Sequence, residues 1–293
     1  MPCMDLGVTG RAAIVTGASR GIGLATARLL CAEGARVLLA ARDEGRLNEA
    51  VAACREAGKE PAGSDRGEAA EGVTAEGIAQ GGGEVAECLA LDATAPDAGD
   101  RLVAACREAF GSVDVAVANA GTSAARPLDE LTDEDWQTQW ELNVLGPLRL
   151  MRAAAPAMAE GGWGRIVNVS SSSGKRPSLT NVAYSVTKAA QLSLSRSFAD
   201  AYADKGVLVN AVTPGAVATG LWTDEGGLAD QAAQAKGISR EEALEAQAAK
   251  IPLGRLAEED EIARVVVFLC SQAASNVTGA AWSVDGGAVP VIL

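Results

Sequence analysis

The sequence predicts an α/β protein with a doubly wound parallel sheet and helices on both faces, in a single domain over residues 1–293. Short, unbroken apolar runs alternate with helical patterns along the whole chain. Unbroken apolar strands are typical of parallel sheets that are covered on both faces. A glycine-rich turn after the first run is typical of Rossmann-like folds, and no linker-like stretch interrupts the alternation.

The apolar runs predict seven strands, over residues 12–16, 36–41, 84–91, 113–118, 165–169, 207–212 and 281–284. Apolar residues at helical spacing predict helices over residues 22–33, 46–57, 97–110, 132–157, 182–204 and 258–271. Gly34 closes the first helix, Pro147 predicts a bend in the long fourth helix, and Pro214 ends the sixth strand.

Two segments do not fit this alternation. Residues 58–83 are rich in Gly, Ala and Glu and lie at the amino ends of the strands, so we expect a surface insertion far from any ligand. Residues 220–256 follow the carboxyl end of a strand, where ligands bind in such sheets. We therefore predict that they form a lid over the substrate.

Composition excludes several kinds of chemistry and partner. The chain has no histidine, which excludes Ser-His-Asp and Cys-His machinery and histidine-containing zinc sites, and we expect no bound metal. A formal net charge of −13 without a Lys/Arg run argues against nucleic acid and membrane surfaces as partners. Six singly scattered cysteines indicate reduced thiols. No apolar stretch is long enough to span a membrane, and no secretory signal is visible, so a cytoplasmic protein is expected.

The loop after the first strand reads Gly17-Ala18-Ser19-Arg20-Gly21-Ile22-Gly23. Glycines allow a tight turn and close approach to a ligand, and the following helix N-terminus offers free N–H groups to a pyrophosphate. The spacing differs from G-x-G-x-x-G and lacks the Lys-Ser/Thr of a Walker loop. The strand–loop–helix context favours a dinucleotide site with every residue of the loop except Ala18 as a contact; the alternative is a turn that serves only packing.

The end of the second strand indicates which dinucleotide binds. NAD enzymes usually have an acidic residue there for the ribose diol, whereas this chain has Ala41. Arg42 and Arg20 are suited to a 2′-phosphate, so NADP(H) is the predicted cofactor, with NAD(H) as the alternative if both arginines are merely solvated. Asp92, after the third strand, is a candidate acceptor for the adenine amino group.

Tyr184 and Lys188 are four residues apart on a predicted helix, so their side chains share a face. Alone, this spacing occurs by chance in many helices. Here it follows a dinucleotide loop and a strand that ends in a run of four serines, residues 170–173.

Together these motifs resemble the short-chain dehydrogenase/reductase superfamily, in the single-domain branch that includes 3-oxoacyl-carrier-protein reductases. The matching elements are Thr16-Gly17-x-x-x-Gly21-Ile22-Gly23, Asp92, Asn119-Ala120-Gly121, Asn143, Ser171, Tyr184-x-x-x-Lys188 and Pro214-Gly215. They occur in the family's order and span nearly the whole chain. The departures are the 58–83 insertion, Ala93 in place of a larger apolar residue, and the long 220–256 segment.

The resemblance implies a catalytic role for each matching side chain. Tyr184 is expected to give the proton in carbonyl reduction, with its pKa lowered from about 10 by Lys188 and by oxidised nicotinamide. Lys188 is also expected to hold the nicotinamide ribose. Ser171 donates to the substrate oxygen, with Ser170 and Ser172 as the nearest alternatives.

Other positions follow from the same resemblance. Asn143 is expected to position a water that relays protons to Lys188, unless it is an ordinary polar helix residue. Asn119 is expected to order the backbone, and Val217 and Thr219 to bind the nicotinamide carboxamide. The remaining implied cofactor contacts are Ala93, Asn119, Ala120, Gly121, Tyr184, Pro214 and Gly215.

Substrate contacts are less defined. Trp222 either lines the substrate pocket or packs the lid on the body, and Ser173 is the other candidate. Lys175 and Arg176 are candidates for binding an anionic substrate tail. The sequence does not name the substrate, because lid side chains rather than the fold decide it.

We therefore expect an NADPH-preferring oxidoreductase that acts on a ketone, aldehyde or secondary alcohol. The alternatives are a 3-oxoacyl-carrier-protein reductase of fatty-acid or polyketide type and, in another class, a non-catalytic NADP-binding regulator. The resemblance implies a homotetramer or homodimer, and the apolar run over residues 289–293 suggests burial against another subunit.

Overall fold

Seven strands form one sheet in which every neighbouring pair is parallel. The structure, a computed structural model, describes residues 6–59, 84–123 and 126–290. The strands are β1 (Ala12–Thr16), β2 (Arg36–Ala41), β3 (Ala86–Ala90), β4 (Val115–Ala118), β5 (Gly164–Val169), β6 (Val207–Pro214) and β7 (Ala281–Val284). Their spatial order, β3-β2-β1-β4-β5-β6-β7, confirms the predicted doubly wound sheet.

Helices cover both faces of this sheet and bury two apolar cores, one on each face. They are α1 (Gly21–Ala32), α2 (Glu44–Lys59), α3 (Ala98–Phe110), α4 (Asp133–Trp140), α5 (Gly146–Glu160), α6 (Val182–Tyr202), α7 (Gly220–Thr223), α8 (Leu228–Lys236), α9 (Arg240–Ala248) and α10 (Glu259–Leu269). Helices α1, α2 and α10 pack on one face, and α3, α5 and α6 pack on the other. The described cysteines are free thiols, most of them buried in these cores.

The reversal of strand order lies between β1 and β4, which are neighbours in the sheet but not in sequence. In doubly wound sheets the ligand crevice opens at such a point, outside the carboxyl ends of the strands. The loops after β1, β2, β3, β4, β5 and β6 all lead to that edge, so residues distant in sequence meet there.

The predicted long helix over 132–157 is wrong in its interior. Between α4 and α5 the chain forms a π-helical turn, Glu141–Leu145, in which the Gly146 N–H donates to the carbonyl of Glu141. Pro147 has no N–H and leaves the Asn143 carbonyl without the α-helical bond it would normally accept. The chain widens to a π turn just before the proline instead of bending at it, and π turns are frequent at functional sites.

The two irregular segments have different outcomes. Helix α2 continues to Lys59, so the first residues of the predicted 58–83 insertion are helical, and residues 60–83 lie outside the described part of the chain. The 220–256 segment contains helices α7, α8 and α9. Helix α9 has a capping box, in which the Ser239 Oγ accepts from the Glu242 N–H at 3.1 Å. The last residues of the predicted apolar tail, 291–293, also lie outside the described chain.

Candidate active site

A cleft of about 1090 Å³ opens at the carboxyl edge of the sheet. Its walls contain most of the residues predicted from sequence to bind a cofactor or substrate. These are Gly17, Ser19, Arg20, Gly21, Ile22, Arg42, Asp92, Ala93, Asn119, Ala120, Gly121, Ser171, Tyr184, Lys188, Pro214, Gly215, Val217, Thr219 and Trp222. The predicted residues Gly23, Asn143 and Ser173 are not part of these walls.

The glycine-rich loop is held by close backbone packing. Gly17 and Gly21 have φ of +65° and +62°, a region that L side chains rarely adopt. A Cβ on Gly23 would collide with the Gly17 carbonyl oxygen and lie 2.5 Å from Asn119 Nδ2. Gly23 therefore allows close packing between α1 and the loop, and it does not line the cleft.

Two side chains tie this loop to the end of β4. The Asn119 Nδ2 donates to the carbonyls of Thr16 and Gly17 at 3.0 and 3.1 Å. The Thr16 Oγ1 in turn accepts from the N–H groups of Asn119 and Ala120 at 3.1 and 3.2 Å. These four hydrogen bonds join the carboxyl ends of β1 and β4 at the cleft.

Ser171 and Tyr184 both line the cleft, and the Ser171 hydroxyl is near enough to the phenol to lower the Tyr184 pKa. The Ser171 Oγ also accepts from the Ser173 N–H at 3.1 Å, so Ser173 contributes its backbone and not a cleft-facing hydroxyl. Ser170 donates its hydroxyl to the Lys188 carbonyl at 3.0 Å. Among the four serines, Ser171 is therefore the one whose side chain joins the tyrosine.

Lys188 lies beside Tyr184, with its Nζ 5.6 Å from the centre of the phenol ring. The ammonium donates to the Val169 carbonyl at 2.9 Å and to the Gln191 Oε1 at 3.0 Å. Because a buried charge is costly, burial lowers the pKa of Lys188 to about 7.

The expected lowering of the Tyr184 pKa by Lys188 is not seen in this structure. Burial raises the pKa of Tyr184, and the hydrogen bond with Ser171 lowers it by less. The Lys188 ammonium donates instead to the end of β5 and to Gln191 of its own helix.

Asn143 lies in the π-helical turn, fully buried behind the catalytic wall. Its Nδ2 donates to Gln139 Oε1 at 2.8 Å and to Thr187 Oγ1 at 3.2 Å, whereas its Oδ1 has no hydrogen-bond partner in the described part of the chain. A Cβ built on Gly121 would lie 3.2 Å from this Oδ1 and 3.5 Å from Lys188 Nζ. The side-chain carbonyl of Asn143 thus lies near Lys188 Nζ, but Asn143 does not line the cleft.

Arginines cluster where the ends of β2 and the glycine-rich loop approach each other. Arg42 and Arg46 line the cleft beside Ala41. Arg20 forms a 2.5 Å ion pair with Asp224 of the predicted lid, so its guanidinium is shared between the loop and the lid. Asp92 Oδ1 accepts from the Thr94 N–H and hydroxyl at 2.9 and 2.8 Å, and these bonds lower its pKa.

The segment after β6 forms the opposite wall. Val217 is buried and pairs with Ala257 in an isolated parallel bridge. Trp222, in α7, lines the cleft, which favours the first of its two predicted roles. Lys175 Nζ donates to the Ala281 carbonyl at 2.6 Å and to Ser283 Oγ at 2.9 Å, so this candidate for an anionic substrate tail is bound to β7 in the structure.

The residues of the cleft fit a dinucleotide. The N-terminus of α1 opens onto it, and no side chain caps the first N–H groups of that helix. The glycine backbone of the loop leaves this end uncovered, as anion binding at a helix N-terminus requires. The described residues contain no group of His, Cys, Asp and Glu placed to hold a metal ion.

Several residues at or beside the cleft were not predicted from the sequence. Arg46 lies in the first turn of α2, four residues after Arg42, and it lines the same cleft. Asp224 pairs with a residue more than two hundred positions away, which no local pattern reveals. Gln191 follows Lys188 by three residues on the same helix, and this spacing alone was a usable signal.

Known proteins match this chain over almost its full length. A family profile described as short chain dehydrogenase matches residues 11–64, and one described as Enoyl-(Acyl carrier protein) reductase matches residues 48–289. The L-rhamnose 1-dehydrogenase (NAD(P)(+)) of Azotobacter vinelandii is 38% identical over 275 residues, which are 94% of each chain.

Solved structures of oxidoreductases also match this chain over almost its full length. L-sorbose reductase from Gluconobacter frateurii, complexed with NADPH and L-sorbose, is 32% identical with a TM-score of 0.84 over 99% of this chain and 100% of that one. An actinorhodin polyketide ketoreductase variant with NADPH is 32% identical with a TM-score of 0.83 and the same coverage. No helix in the described ranges has the length and apolar character that crossing a membrane requires.

Proposed function

The chain belongs to the short-chain dehydrogenase/reductase family of NAD(P)-binding oxidoreductases, and we propose that it is an NADPH-preferring reductase of a ketone or aldehyde, reversible as a secondary-alcohol dehydrogenase. The observation that carries this proposal is the Ser171–Tyr184 pair, with Lys188 behind it, in the wall of a dinucleotide-sized cleft. The cofactor, when bound, supplies or accepts the hydride.

The protein's own part is to bind the substrate oxygen and to move its proton. Ser171 and Tyr184 donate hydrogen bonds to that oxygen, and Tyr184 gives its proton in the reductive direction. The raised pKa of Tyr184 keeps the phenol protonated at neutral pH, as a general acid requires. Lys188, Val217 and Thr219 would hold the nicotinamide end of the cofactor.

The substrate is proposed to be a polyhydroxylated ketone, aldehyde or alcohol. The named relatives include enzymes of L-rhamnose and L-sorbose. The hydroxyls of Thr122 and Thr138 line the cleft alongside Leu142 and Trp222, a mixed wall that suits a small polar substrate.

A 3-oxoacyl-carrier-protein reductase is the second candidate, since a polyketide ketoreductase is among the structural relatives. Carrier proteins are acidic, and docking one would need basic side chains beside the cleft mouth. Lys175 is occupied by β7, which weakens this candidate. A non-catalytic NADP-binding regulator is the third, and the intact catalytic side chains argue against it.

A substrate panel tests the proposal. The purified protein would be assayed with NADPH and NADH against sugars, polyols, simple ketones and a 3-oxoacyl thioester. Turnover that is highest on a polyhydroxylated substrate supports the proposal, and highest turnover on the thioester favours the second candidate. NADPH binding without turnover across the panel would support the regulator.

Arg42 is expected to set the cofactor preference. Arg42→Ala should raise KM for NADPH by about tenfold and leave KM for NADH nearly unchanged, because only NADPH carries the 2′-phosphate that the guanidinium binds. Steady-state kinetics with both cofactors measures this. Arg28→Ala, an exposed arginine on α1 outside the cleft wall, is the matched control. Equal losses with both cofactors would contradict the assignment.

Self-association is part of the proposal. Strand β7 ends the described sheet, and Leu253 and Trp282 nearby are 66% and 37% exposed. Exposed edges and apolar side chains of this kind are usually covered by a partner. Light scattering should give a mass of two or four times 29.7 kDa, and Leu253→Glu should reduce it. A monomeric wild-type protein would refute this part.

A further inference from the structure

A buried glutamine side chain accepts a hydrogen bond from Lys188. Gln191 lies one turn after Lys188 in α6 and is fully buried, at 0% exposure. Its Oε1 accepts a hydrogen bond from Lys188 Nζ at 3.0 Å, and its Nε2 has no hydrogen-bond partner among the described residues. An amide at this depth is costly, so its contact with the ammonium needs an explanation.

We propose that Gln191 is a positioning residue that keeps the Lys188 side chain charged and aimed at the cleft. This inference rests on the proposed function of Lys188, and it adds a residue that the motif spacing does not include.

The number of hydrogen bonds that the Lys188 ammonium can donate supports this role of Gln191. Lys188 has three N–H donors and is only 2% exposed, so water cannot satisfy all of them. Two donors are used by the Val169 carbonyl, at the end of β5, and by Gln191 Oε1, in α6. The third is left for a group in the cleft, which the lysine lines.

Gln191 also offsets the cost of the buried charge. Burial alone lowers the pKa of Lys188 to about 7, so the ammonium is close to losing its proton at neutral pH. A neutral acceptor favours the charged form without forming an ion pair that would pull the ammonium out of the cleft.

The groups that face Lys188 from other elements are mostly neutral. They are the Val169 carbonyl from β5 and Asn143 from the π-helical turn; Tyr184 is the titratable neighbour on its own helix. The ionisable side chains on the elements packed against this part of α6 include Glu141 and Arg149, which pair with each other at 3.0 Å. Those on α4 are Asp133, Glu134 and Asp135 in its first turn.

Two substitutions separate this role from packing. Gln191→Met keeps the length of the side chain and removes the acceptor, whereas Gln191→Glu keeps the acceptor and adds a charge. Losing a hydrogen bond to a charged group should lower the Lys188 pKa by about one pH unit, and the carboxylate should raise it. Ser195→Ala is the matched control, since Ser195 is buried one turn further along α6 and its Oγ has no hydrogen-bond partner among the described residues.

The pKa of Lys188 can be measured without turnover. The chain has six lysines, so NMR of the cofactor-free protein with ¹³Cε-labelled lysine gives few signals. Lys188→Arg identifies the one of interest. We expect its titration midpoint to fall in Gln191→Met, to rise in Gln191→Glu and to stay unchanged in Ser195→Ala. A wild-type midpoint in Gln191→Met, or an equal shift in the serine control, would overturn the inference.

Kinetics provide the second readout. Because Lys188 acts as the ammonium, the alkaline decline of kcat should move to lower pH in Gln191→Met, with kcat at pH 7.5 lowered by about tenfold. Gln191→Glu should move that decline to higher pH. If the wild-type protein turns over nothing in the panel, the proposed function fails, and the NMR titration still decides the role of Gln191.

Discussion

Tyr184→Phe is expected to lower kcat by at least about a thousandfold while the Kd for NADPH changes by less than about twofold. The substitution removes a single oxygen, which we propose to be both the proton donor and one of the two hydroxyls that bind the substrate oxygen. A thousandfold loss corresponds to about 4 kcal/mol of transition-state stabilisation. Stopped-flow or steady-state assays give kcat, and quenching of protein fluorescence gives the Kd.

The chain supplies its own control for this substitution. Its other tyrosine, Tyr202, lies at the far end of α6 and stacks on Phe198 with ring centres 5.9 Å apart. Tyr202→Phe removes the same atom from the same helix outside the cleft, so its kcat should match the wild type. An active Tyr184→Phe protein would refute the assigned role of the phenol.

Gly23→Ala is expected to raise the Kd for NADPH by about tenfold. The new Cβ would collide with the Gly17 carbonyl and lie 2.5 Å from Asn119 Nδ2, so α1 must move away from the loop that it supports. Overpacking of this kind costs about 1–3 kcal/mol, which falls partly on stability and partly on binding. Calorimetric titration and a thermal melt measure both parts.

Gly161→Ala is the matched control for the glycine substitution. Gly161 follows α5, has a φ of −82°, and its Cβ would lie 3.5 Å from the Met158 carbonyl oxygen, an ordinary contact. This protein should bind NADPH and melt as the wild type does. If Gly23→Ala binds NADPH and melts as the wild type does, the predicted clash of the new Cβ with the loop is wrong.

The sheet was predictable because its evidence is local. Each strand is a short run of buried apolar residues, and each helix of the two cores has its own apolar spacing. Strand bounds therefore agree within about two residues. The lid helices were not predicted, although the capping box of Ser239 and Glu242 marks the start of α9.

The π-helical turn shows where local pattern fails. Pro147 indicates an irregularity, but a bend and a widened turn have the same sequence pattern. The difference matters for the site, since the widened turn contains Asn143 and places its amide beside Thr187 and Lys188.

Electrostatics were the least predictable part of the site. Sequence spacing places Tyr184 and Lys188 on one face, and from this a lowered tyrosine pKa was expected. Burial depends on the whole fold, and it raises the pKa of Tyr184 while it lowers that of Lys188. The partners Val169 and Gln191 then decide where the ammonium points.

The most direct test of the central claim follows the hydride itself. The wild-type protein would be incubated with NADPH deuterated at C4 of the nicotinamide and with the best carbonyl substrate of the panel, and the product analysed by mass spectrometry and NMR. We expect one deuterium on the new carbinol carbon, from a single face of the ring, and no product from Tyr184→Phe. A product without deuterium at that carbon, or none from any carbonyl while NADPH binds, would contradict this claim.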